Sequence, residues 1–319
     1  MNTFEQLVQK IKILNEETWE RRVPWPRIKQ WLDNFANAGA GDSAIQQLNA
    51  LFLLSKFMYF GSREMRELLR SVFRDLYKYP VVEGLRKQNG DTIDTTFLDA
   101  AFLEELKKTR FLGVGNPSES GTHLLYYFRQ ENILRSELFI NAHEVFDRAG
   151  SAAPVQLRDP TVSRYVFIDD FCGSGDQALQ YSRSIIDDIK RLNPSIQTSY
   201  YVLFATEHGL EHVRTNGKFD RVEAVFELDE TFKCFGADSR FFKNQPSEIT
   251  RDFAHAMCRY YGTYLYEAHP LGYRDGQLLL GFFHNTPDNT LPIIWSSGAI
   301  FAWVPIFRRY PKLSAWGGI

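Results

Sequence analysis

The most informative part of the sequence is an apolar run that ends in two acids and leads into a glycine-rich turn. Residues 165–168 read Tyr-Val-Phe-Ile, and Asp169 and Asp170 follow them directly. Residues 173–177 then read Gly-Ser-Gly-Asp-Gln, and apolar residues at helical spacing come next. Glycines let the backbone turn tightly and bring its N–H groups against a phosphate, while a helix N-terminus adds positive partial charge. The spacing therefore predicts an anion-binding loop beside two carboxylates.

Each residue type in this stretch has a defined chemical use. The predicted phosphate-binding residues are Gly173, Ser174, Gly175, Asp176 and Gln177. Asp169 and Asp170 are the candidate catalytic residues, because carboxylates that end a buried parallel strand lie at the sheet edge where open α/β proteins bind ligands. A phosphorylated ribose would use both parts, with its 5′-phosphate on the loop and its hydroxyl groups donating to the carboxylates. The alternative is an ordinary strand-to-helix turn with no function.

Residues 166–177 resemble the signature of the type I phosphoribosyltransferases. That signature is an apolar strand, two acids, three variable residues, Thr or Ser, Gly, any residue and Thr. Both acids match, as do Ser174 and Gly175, whereas Gly173 stands where the family usually has a third Asp and Gln177 replaces the last Thr. The resemblance implies a phosphoribosyl diphosphate or phosphoribosyl nucleotide ligand, with Mg²⁺ neutralising the diphosphate. The two departures bear on turnover more than on binding.

A second loop lies upstream of this motif. Residues 110–113 are followed by Val-Gly-Asn-Pro-Ser-Glu-Ser-Gly, which resembles the first strand and pyrophosphate-binding loop of the same family. The resemblance implies that Gly115, Asn116 and Ser118 contact the ligand. A plain connecting loop is the alternative, because Gly and Ser are common in connections of any kind.

The C-terminal part adds a more specific resemblance. Residues 283–295 read Phe-His-Asn-Thr-Pro-Asp-Asn-Thr-Leu-Pro-Ile-Ile-Trp, and Trp303 and Arg308 follow. Together with the N-terminal helices, this tail resembles a group of phosphoribosyltransferase-like proteins predicted in prokaryotic conflict and anti-phage systems. The resemblance implies a role in defence and a protein partner. Because residues 287–289, Pro-Asp-Asn, also favour a turn, a structural role of the segment stays open.

The sequence therefore leaves three functions open. The first is transfer of a phosphoribosyl group, and the second is a non-catalytic nucleotide sensor that regulates a partner effector. The third is an S-adenosylmethionine-dependent methyltransferase, because residues 170–175 also resemble the Asp-Pro-Phe-x-Gly-Ser-Gly loop of DNA amino-methyltransferases, with Glu207 as a candidate ribose ligand. The chain has neither Asp-Pro-Pro-Tyr nor Asn-Pro-Pro-Tyr, and Asp170 replaces the proline, which weighs against the third function.

Two further signals favour structural interpretations. Residues 208–212 match the His-x-x-Glu-His pattern of some zinc peptidases, but the run contains Gly209 and no third ligand is identifiable, so no protein metal site is predicted. Cys172 precedes a helix N-terminus, which can lower a thiol pKa, yet no His or Asn partner can be assigned. A packing role is predicted for this cysteine.

The composition favours a globular protein of the reducing cytoplasm. Hydrophobic residues make up 44% of the chain, and the net charge of -2 gives no attraction to polyanions, so nucleic acid is not an expected partner. Cys172, Cys234 and Cys258 lie far apart and form no Cys-x-x-Cys pair. The N-terminal residues lack a signal-peptide pattern, and no apolar run is long enough to span a membrane.

Two regions should position these residues. Residues 1–105 are predicted to be helical, because apolar residues recur there at three- and four-residue spacing, and Asp42 or Ser43 is the expected cap of one helix. Residues 106–319 are predicted to form an α/β domain with a mainly parallel sheet of phosphoribosyltransferase type, since strand-like runs alternate with turns and helices. The predicted strands are 110–114, 138–141, 165–168, 199–205, 222–227 and 277–283.

Overall fold

The structure is a computed structural model that describes residues 2–114, 120–147, 155–298 and 302–309. The chain divides into two compact units. The sheet unit is Met65–Glu227, and the terminal unit joins Met1–Glu64 with Leu228–Ile319. This division differs from the predicted boundary between residues 105 and 106.

Helices dominate the beginning of the chain, and strands alternate with helices after it. The helices are α1 (Thr3–Glu17), α2 (Trp25–Leu32), α3 (Ser43–Leu54), α4 (Ser62–Ser71), α5 (Tyr79–Gln88), α6 (Thr95–Lys107), α7 (Ser120–Glu131), α8 (Asp176–Tyr181), α9 (Asp187–Leu192), α10 (Glu207–Asn216), α11 (Arg251–Leu265) and α12 (Pro292–Trp295). The strands are β1 (Met58–Phe60), β2 (Thr109–Gly113), β3 (Phe146–Asp147), β4 (Gln156–Leu157), β5 (Arg164–Cys172), β6 (Gln197–Thr206), β7 (Arg221–Leu228) and β8 (Leu280–Phe282). Two π-helical segments, Val72–Lys78 and Ser182–Ile186, join α4 to α5 and α8 to α9.

The sheet unit is built on a four-stranded sheet with the strand order β2-β5-β6-β7. β5 pairs in parallel with both β2 and β6. Residues 165–168 of β5 are completely buried, as expected of a central strand that is covered on both faces. Phe167 on β5 and Tyr200 on β6 belong to one core cluster with Ile186 and Ile189 from the helices that follow β5. The predicted α/β class with a mainly parallel sheet is confirmed.

The terminal unit joins the two ends of the chain through a second, smaller sheet. β1 pairs in parallel with β8, with Tyr59 opposite Gly281. The residues of β1 were predicted as part of the helical region, and that prediction was wrong, because the partner strand lies more than two hundred positions away and leaves no local pattern. Phe35 packs edge-to-face against Trp31, Tyr261 and Trp303, at ring-centroid distances of 5.0, 5.3 and 5.1 Å. The tail aromatic Trp303 is therefore a core residue.

Most of the other local predictions agree with the structure. The side chain of Asp42 caps α3 by accepting from the backbone N–H groups of Ala44 and Ile45. Four predicted strands correspond to β2, β5, β6 and β7, and the sixth shortens to β8. The predicted strand at 138–141 is not a strand, since only a single bridge joins Phe139 to Phe111 after a short 3₁₀ turn.

The buried phenols of the sheet give a prediction for alkaline pH. Burial raises the pKa of Tyr165 to about 12, and burial with the nearby Asp169 carboxylate raises the pKa of Tyr200 well above its usual value. In the unfolded chain the phenol titrates near pH 10. Burial of the neutral phenols therefore favours the folded state fully below about pH 10, and this contribution to stability is lost as the pH rises toward the pKa of the folded state. We expect urea unfolding to show a free energy of unfolding that falls steeply above about pH 10. In Tyr165→Phe the fall should be shallower, and an identical pH profile in the variant would contradict the assignment.

Candidate functional site

The predicted acidic pair lies inside the final residues of β5. The strand does not stop at Ile168 but continues through Asp169 and Asp170 to Cys172, which pairs with Ala205 of β6. The glycine-rich loop begins at the next residue, and α8 begins at Asp176. The strand, loop and helix predicted from the sequence are therefore present in that order.

The two acids have different surroundings. Asp169 is only 6% exposed, and its carboxylate accepts hydrogen bonds from the Tyr200 hydroxyl at 3.0 Å and from the backbone N–H of Asp170 at 2.9 Å. Asp170 is half-buried. Since both oxygens of Asp169 are already bonded within the protein, this carboxylate holds the end of β5 in place. Asp170 is the acid of the pair that is more open to a ligand.

Gly175 gives the loop its shape. Its φ of +81° lies in the left-handed region, and it is the N-cap residue of α8. A Cβ atom at this position would lie 2.8 Å from the carbonyl oxygen of Gly209 and 2.9 Å from Cγ2 of Val213. Conformation and space therefore both require glycine here, and the turn leads into a helix N-terminus, whose partial positive charge favours an anion. The backbone N–H of Asp176, the first of α8, donates to the Ser174 hydroxyl at 3.4 Å.

A second segment, from Thr206 to His212, is hydrogen-bonded to the loop 173–177. The Thr206 hydroxyl donates to the carbonyl oxygen of Gly173 at 2.6 Å, and His212 Nδ1 donates to the carbonyl oxygen of Ser174 at 2.9 Å. A Cβ atom at Gly209 would lie 2.2 Å from the Gly173 oxygen, so α10 approaches the loop as closely as glycine allows. Sequence reasoning missed this support.

The His-x-x-Glu-His pattern at residues 208–212 is the sequence feature that could have indicated the contact between α10 and the loop. His208 and His212 do lie on one side of α10, with ring centroids 6.1 Å apart. His212 is bonded to the loop, however, and Thr206 caps the helix by accepting from the backbone N–H of Gly209 at 2.9 Å. The segment is thus a capped helix start that contacts the loop 173–177.

The remaining loop side chains lie at the start of α8. The Ser174 hydroxyl donates to Asp176 Oδ2 at 2.8 Å, while Gln177 is exposed. Beside them is a cleft of about 390 Å³ lined by Asp176, Leu179, Gln180, Arg183 and His212. Arg183 brings a positive charge to this side of the loop.

The second predicted loop begins beside the first. β2 ends at Gly113, which pairs with Ile168, and the backbone N–H of Val114 donates to the Ile168 carbonyl oxygen at 3.2 Å. Gly115, Asn116 and Ser118 follow directly but lie outside the described residues. The chain therefore enters this loop at the edge of the sheet where the acidic pair lies.

The acidic pair can supply only some of the oxygen ligands that Mg²⁺ requires. Mg²⁺ in nucleotide sites is usually held by one or two carboxylates, with phosphate and water oxygens completing the octahedron. Within residues 2–114, 120–147, 155–298 and 302–309, no group of three His, Cys, Asp or Glu side chains is placed to hold a metal. Mg²⁺ at this site would therefore take its oxygen ligands mainly from a bound diphosphate and from water.

Cys172 is a packing residue. It is 3% exposed, and burial, with a smaller contribution from the Asp169 charge, raises the pKa of its thiol to about 12. At pH 8 this shift lowers the thiolate fraction about a thousandfold relative to an exposed thiol of pKa about 9. We expect the folded chain to react with a thiol reagent at least about a hundredfold more slowly than the urea-unfolded chain. Rapid labelling of Cys172 in the folded chain, located by peptide mapping, would contradict the assignment.

The segment 286–309 has hydrogen-bond partners within the terminal unit. Thr290 Oγ1 donates to the Leu280 carbonyl oxygen at 2.7 Å, and Asn289 Nδ2 donates to the Tyr273 carbonyl oxygen at 3.1 Å. Arg309 donates to the carbonyl oxygen of Thr286 and forms an ion pair with Asp288 at 3.0 Å. These bonds give the residues 286–290 a structural role, which is one of the two interpretations the sequence left open.

Solved structures of other proteins are similar to parts of this chain. Orotate phosphoribosyltransferase from Aeropyrum pernix is 16% identical, with a TM-score of 0.25, and the match covers 39% of this chain and 63% of that one. Xanthine-guanine-hypoxanthine phosphoribosyltransferase from Helicobacter pylori is 9% identical, with a TM-score of 0.26 and coverage of 54% and 88%. The AQ2163 protein from Aquifex aeolicus is 12% identical, with a TM-score of 0.30 and coverage of 65% and 86%. No curated protein sequence matches the chain.

None of the helices in the described part of the chain is long and apolar enough to cross a bilayer. A family model matches residues 28–309, a range that includes the acidic pair, the loop 173–177 and the tail. The match confirms the phosphoribosyltransferase-like character that the motif indicated. The chain therefore belongs to the PRTase-CE family.

Proposed function

We propose that the chain binds a 5-phosphoribosyl ligand, either phosphoribosyl diphosphate or a nucleotide, at the loop 173–177. The observation that carries the proposal is the left-handed turn at Gly175 between a strand that ends in two acids and the N-terminus of a helix. Such a turn offers several backbone N–H groups to one phosphate, and the family match supports the same ligand class.

Each residue then has a separate role. The backbone of Gly173, Ser174 and Gly175 holds the 5′-phosphate, with the Ser174 hydroxyl exchanging its bond to Asp176 for one to the ligand. Asp170 accepts hydrogen bonds from the ribose hydroxyls, and Asp169 positions it through the bonded backbone N–H. Gln177 is a further candidate phosphate contact, and the family resemblance assigns the diphosphate to the second loop, with Gly115, Asn116 and Ser118.

Transfer of the phosphoribosyl group needs little covalent participation from such a site. The bond between C1 of the ribose and the leaving diphosphate breaks through a transition state with oxocarbenium character, so rate enhancement comes from orientation and from stabilised charge. Mg²⁺ supplies charge neutralisation when a diphosphate is bound. Asp170 and the loop 173–177 fix the two ends of the ribose phosphate. The protein thereby contributes to the rate by orienting the ligand.

A non-catalytic sensor is the second candidate, and a specific residue favours it. Gly173 occupies the position where the resembling enzymes usually have a third acid, so the loop keeps its phosphate-binding groups without that carboxylate. In a defence system, such a sensor would regulate a partner effector in response to nucleotide. Release of pyrophosphate from phosphoribosyl diphosphate in the presence of nucleobases separates the two candidates, since only the transferase produces it.

Calorimetric titration of the wild-type chain tests the ligand class. Phosphoribosyl diphosphate with Mg²⁺, a nucleoside monophosphate and S-adenosylmethionine should be compared at equal concentrations. We expect saturable heat from at least one phosphoribosyl ligand and none from S-adenosylmethionine. Binding of S-adenosylmethionine alone would favour the methyltransferase alternative and contradict the proposal.

A further inference from the structure

The hydroxyl group of Thr206 connects the end of one strand to the loop that follows the neighbouring strand. Thr206 is the last residue of β6, and its Oγ1 atom donates to the carbonyl oxygen of Gly173 at 2.6 Å. The same atom accepts from the backbone N–H of Gly209 at 2.9 Å and thereby caps α10. Since a carbonyl oxygen can only accept and an N–H can only donate, the direction of both bonds is determined. The hydroxyl is therefore held in one orientation against the loop.

The bond to Gly173 also sets the direction of the Ser174 N–H. A trans peptide is planar, so its C=O and N–H groups point in opposite directions, and the described residues contain no cis peptide bond. Because the Gly173 carbonyl points to Thr206, the Ser174 N–H of the same peptide points away from Thr206. β5 lies between β2 and β6 in the sheet. The N–H therefore points from the β6 side toward the β2 side, where the chain enters the second loop after Val114.

This N–H group is open to a ligand. Ser174 is half-buried, and the described part of the chain provides no acceptor for its backbone N–H. The first N–H of α8, that of Asp176, instead donates to the Ser174 hydroxyl at 3.4 Å. A phosphate oxygen is a strong acceptor because it is charged, so the Ser174 N–H is a suitable donor for a phosphate group.

We propose that Thr206 is a positioning residue of the loop 173–177, which directs the Ser174 N–H toward the phosphate group of the ligand. The inference rests on the proposed function, since the phosphate concerned is the 5′-phosphate of the phosphoribosyl ligand. A donor that is fixed before binding loses little further freedom when the ligand binds, so it contributes more to affinity. The Thr206 hydroxyl also polarises the peptide through the Gly173 carbonyl, which makes the Ser174 N–H a stronger donor.

The chain offers a control that separates this role from helix capping. Thr250 is the N-cap residue of α11, and its Oγ1 atom accepts from the backbone N–H of Phe253 at 3.3 Å. Thr250 belongs to the terminal unit, whereas the loop 173–177 belongs to the sheet unit. Thr250→Val therefore removes a helix cap of the same kind as Thr206→Val does, but leaves the bond to Gly173 in place.

Calorimetric titration of the full chain with phosphoribosyl diphosphate and Mg²⁺ tests the proposal in the wild type and three variants. Thr206→Val keeps the shape of the side chain and removes the hydroxyl, and we expect it to weaken binding at least about tenfold. Thr206→Ser keeps the hydroxyl and should retain the affinity within about twofold. Thr250→Val should also stay within about twofold, although both valine variants lose a cap and should unfold at a lower urea concentration.

NMR of the ¹⁵N-labelled chain gives a readout that loss of a helix cap alone would not change. In the wild type the Ser174 N–H signal should shift to saturation as the ligand is added, and in Thr206→Val the shift at saturation should be smaller. Equal affinity in Thr206→Val and the wild type, or an equal loss in Thr206→Ser and Thr206→Val, would overturn the role of Thr206 alone. A wild-type chain that does not bind the ligand would overturn the proposed function, and this inference with it.

Discussion

Gly209→Ala is expected to destabilise the sheet unit by about 3 kcal/mol, and it is the largest stability effect we predict. The new methyl group would lie 2.2 Å from the carbonyl oxygen of Gly173 and 2.9 Å from that of Cys172. Both are backbone atoms, so they cannot rotate away as a flexible side chain would. The strain is relieved only if α10 moves away from the loop, which breaks the contacts of Thr206 and His212.

The measurement is urea unfolding followed by circular dichroism. Gly84→Ala is the matched control, because it makes the same change inside a helix where the added Cβ meets nothing within 4 Å. Alanine is the better helix former, so the control should gain about 0.5–1 kcal/mol. Equal changes in the free energy of unfolding for Gly209→Ala and Gly84→Ala would show that α10 is not in close contact with the loop 173–177.

The second large effect is on ligand affinity. Asp170→Asn should weaken binding of the phosphoribosyl ligand about tenfold to a hundredfold, since hydrogen bonds to a charged group contribute about 1.5–3 kcal/mol. Because Asp170 is half-buried whereas Asp169 is 6% exposed, the substitution should lower the stability of the fold by less than Asp169→Asn does. Calorimetric titration and urea unfolding of the same protein preparation measure both quantities.

Asp169→Asn is the matched comparison for that prediction. The amide keeps only one acceptor oxygen, so the carboxylate's bonds to the Tyr200 hydroxyl and to the Asp170 N–H cannot both persist. This change should lower the free energy of unfolding by about 1–3 kcal/mol. If Asp169→Asn left the free energy of unfolding unchanged while Asp170→Asn lowered it, the roles assigned to the two acids would be reversed.

The strand, loop and helix of residues 165–177 could be predicted from sequence because everything that defines them is local. Residues 165–177 contain the buried strand, the acids, the left-handed glycine and the helix start in one continuous stretch. The difference between Asp169 and Asp170 could not be predicted, since it depends on Tyr200 in the neighbouring strand. Two adjacent acids look alike in a sequence, and only the sheet decides which of them is buried.

The support of the loop and the smaller sheet depend on contacts that are distant in sequence. Thr206 and His212 lie 33 and 38 positions beyond the loop residues that they contact, and Gly209 lies between them. β1 is three residues long, too short for alternation to distinguish it from the end of a helix. Its partner β8 lies near the other end of the chain, which is why the predicted boundary at residue 105 misses the terminal unit.

Amide hydrogen exchange with and without the phosphoribosyl ligand tests the central claim most directly. If the loop 173–177 binds the 5′-phosphate, the amide groups of Ser174, Gly175 and Asp176 should become protected when phosphoribosyl diphosphate and Mg²⁺ are added. The protection should be lost in Gly175→Ala, whose side chain does not fit the left-handed turn. A bound ligand that leaves these amides unchanged and protects other segments, such as 80–88 with 197–201, would contradict the account.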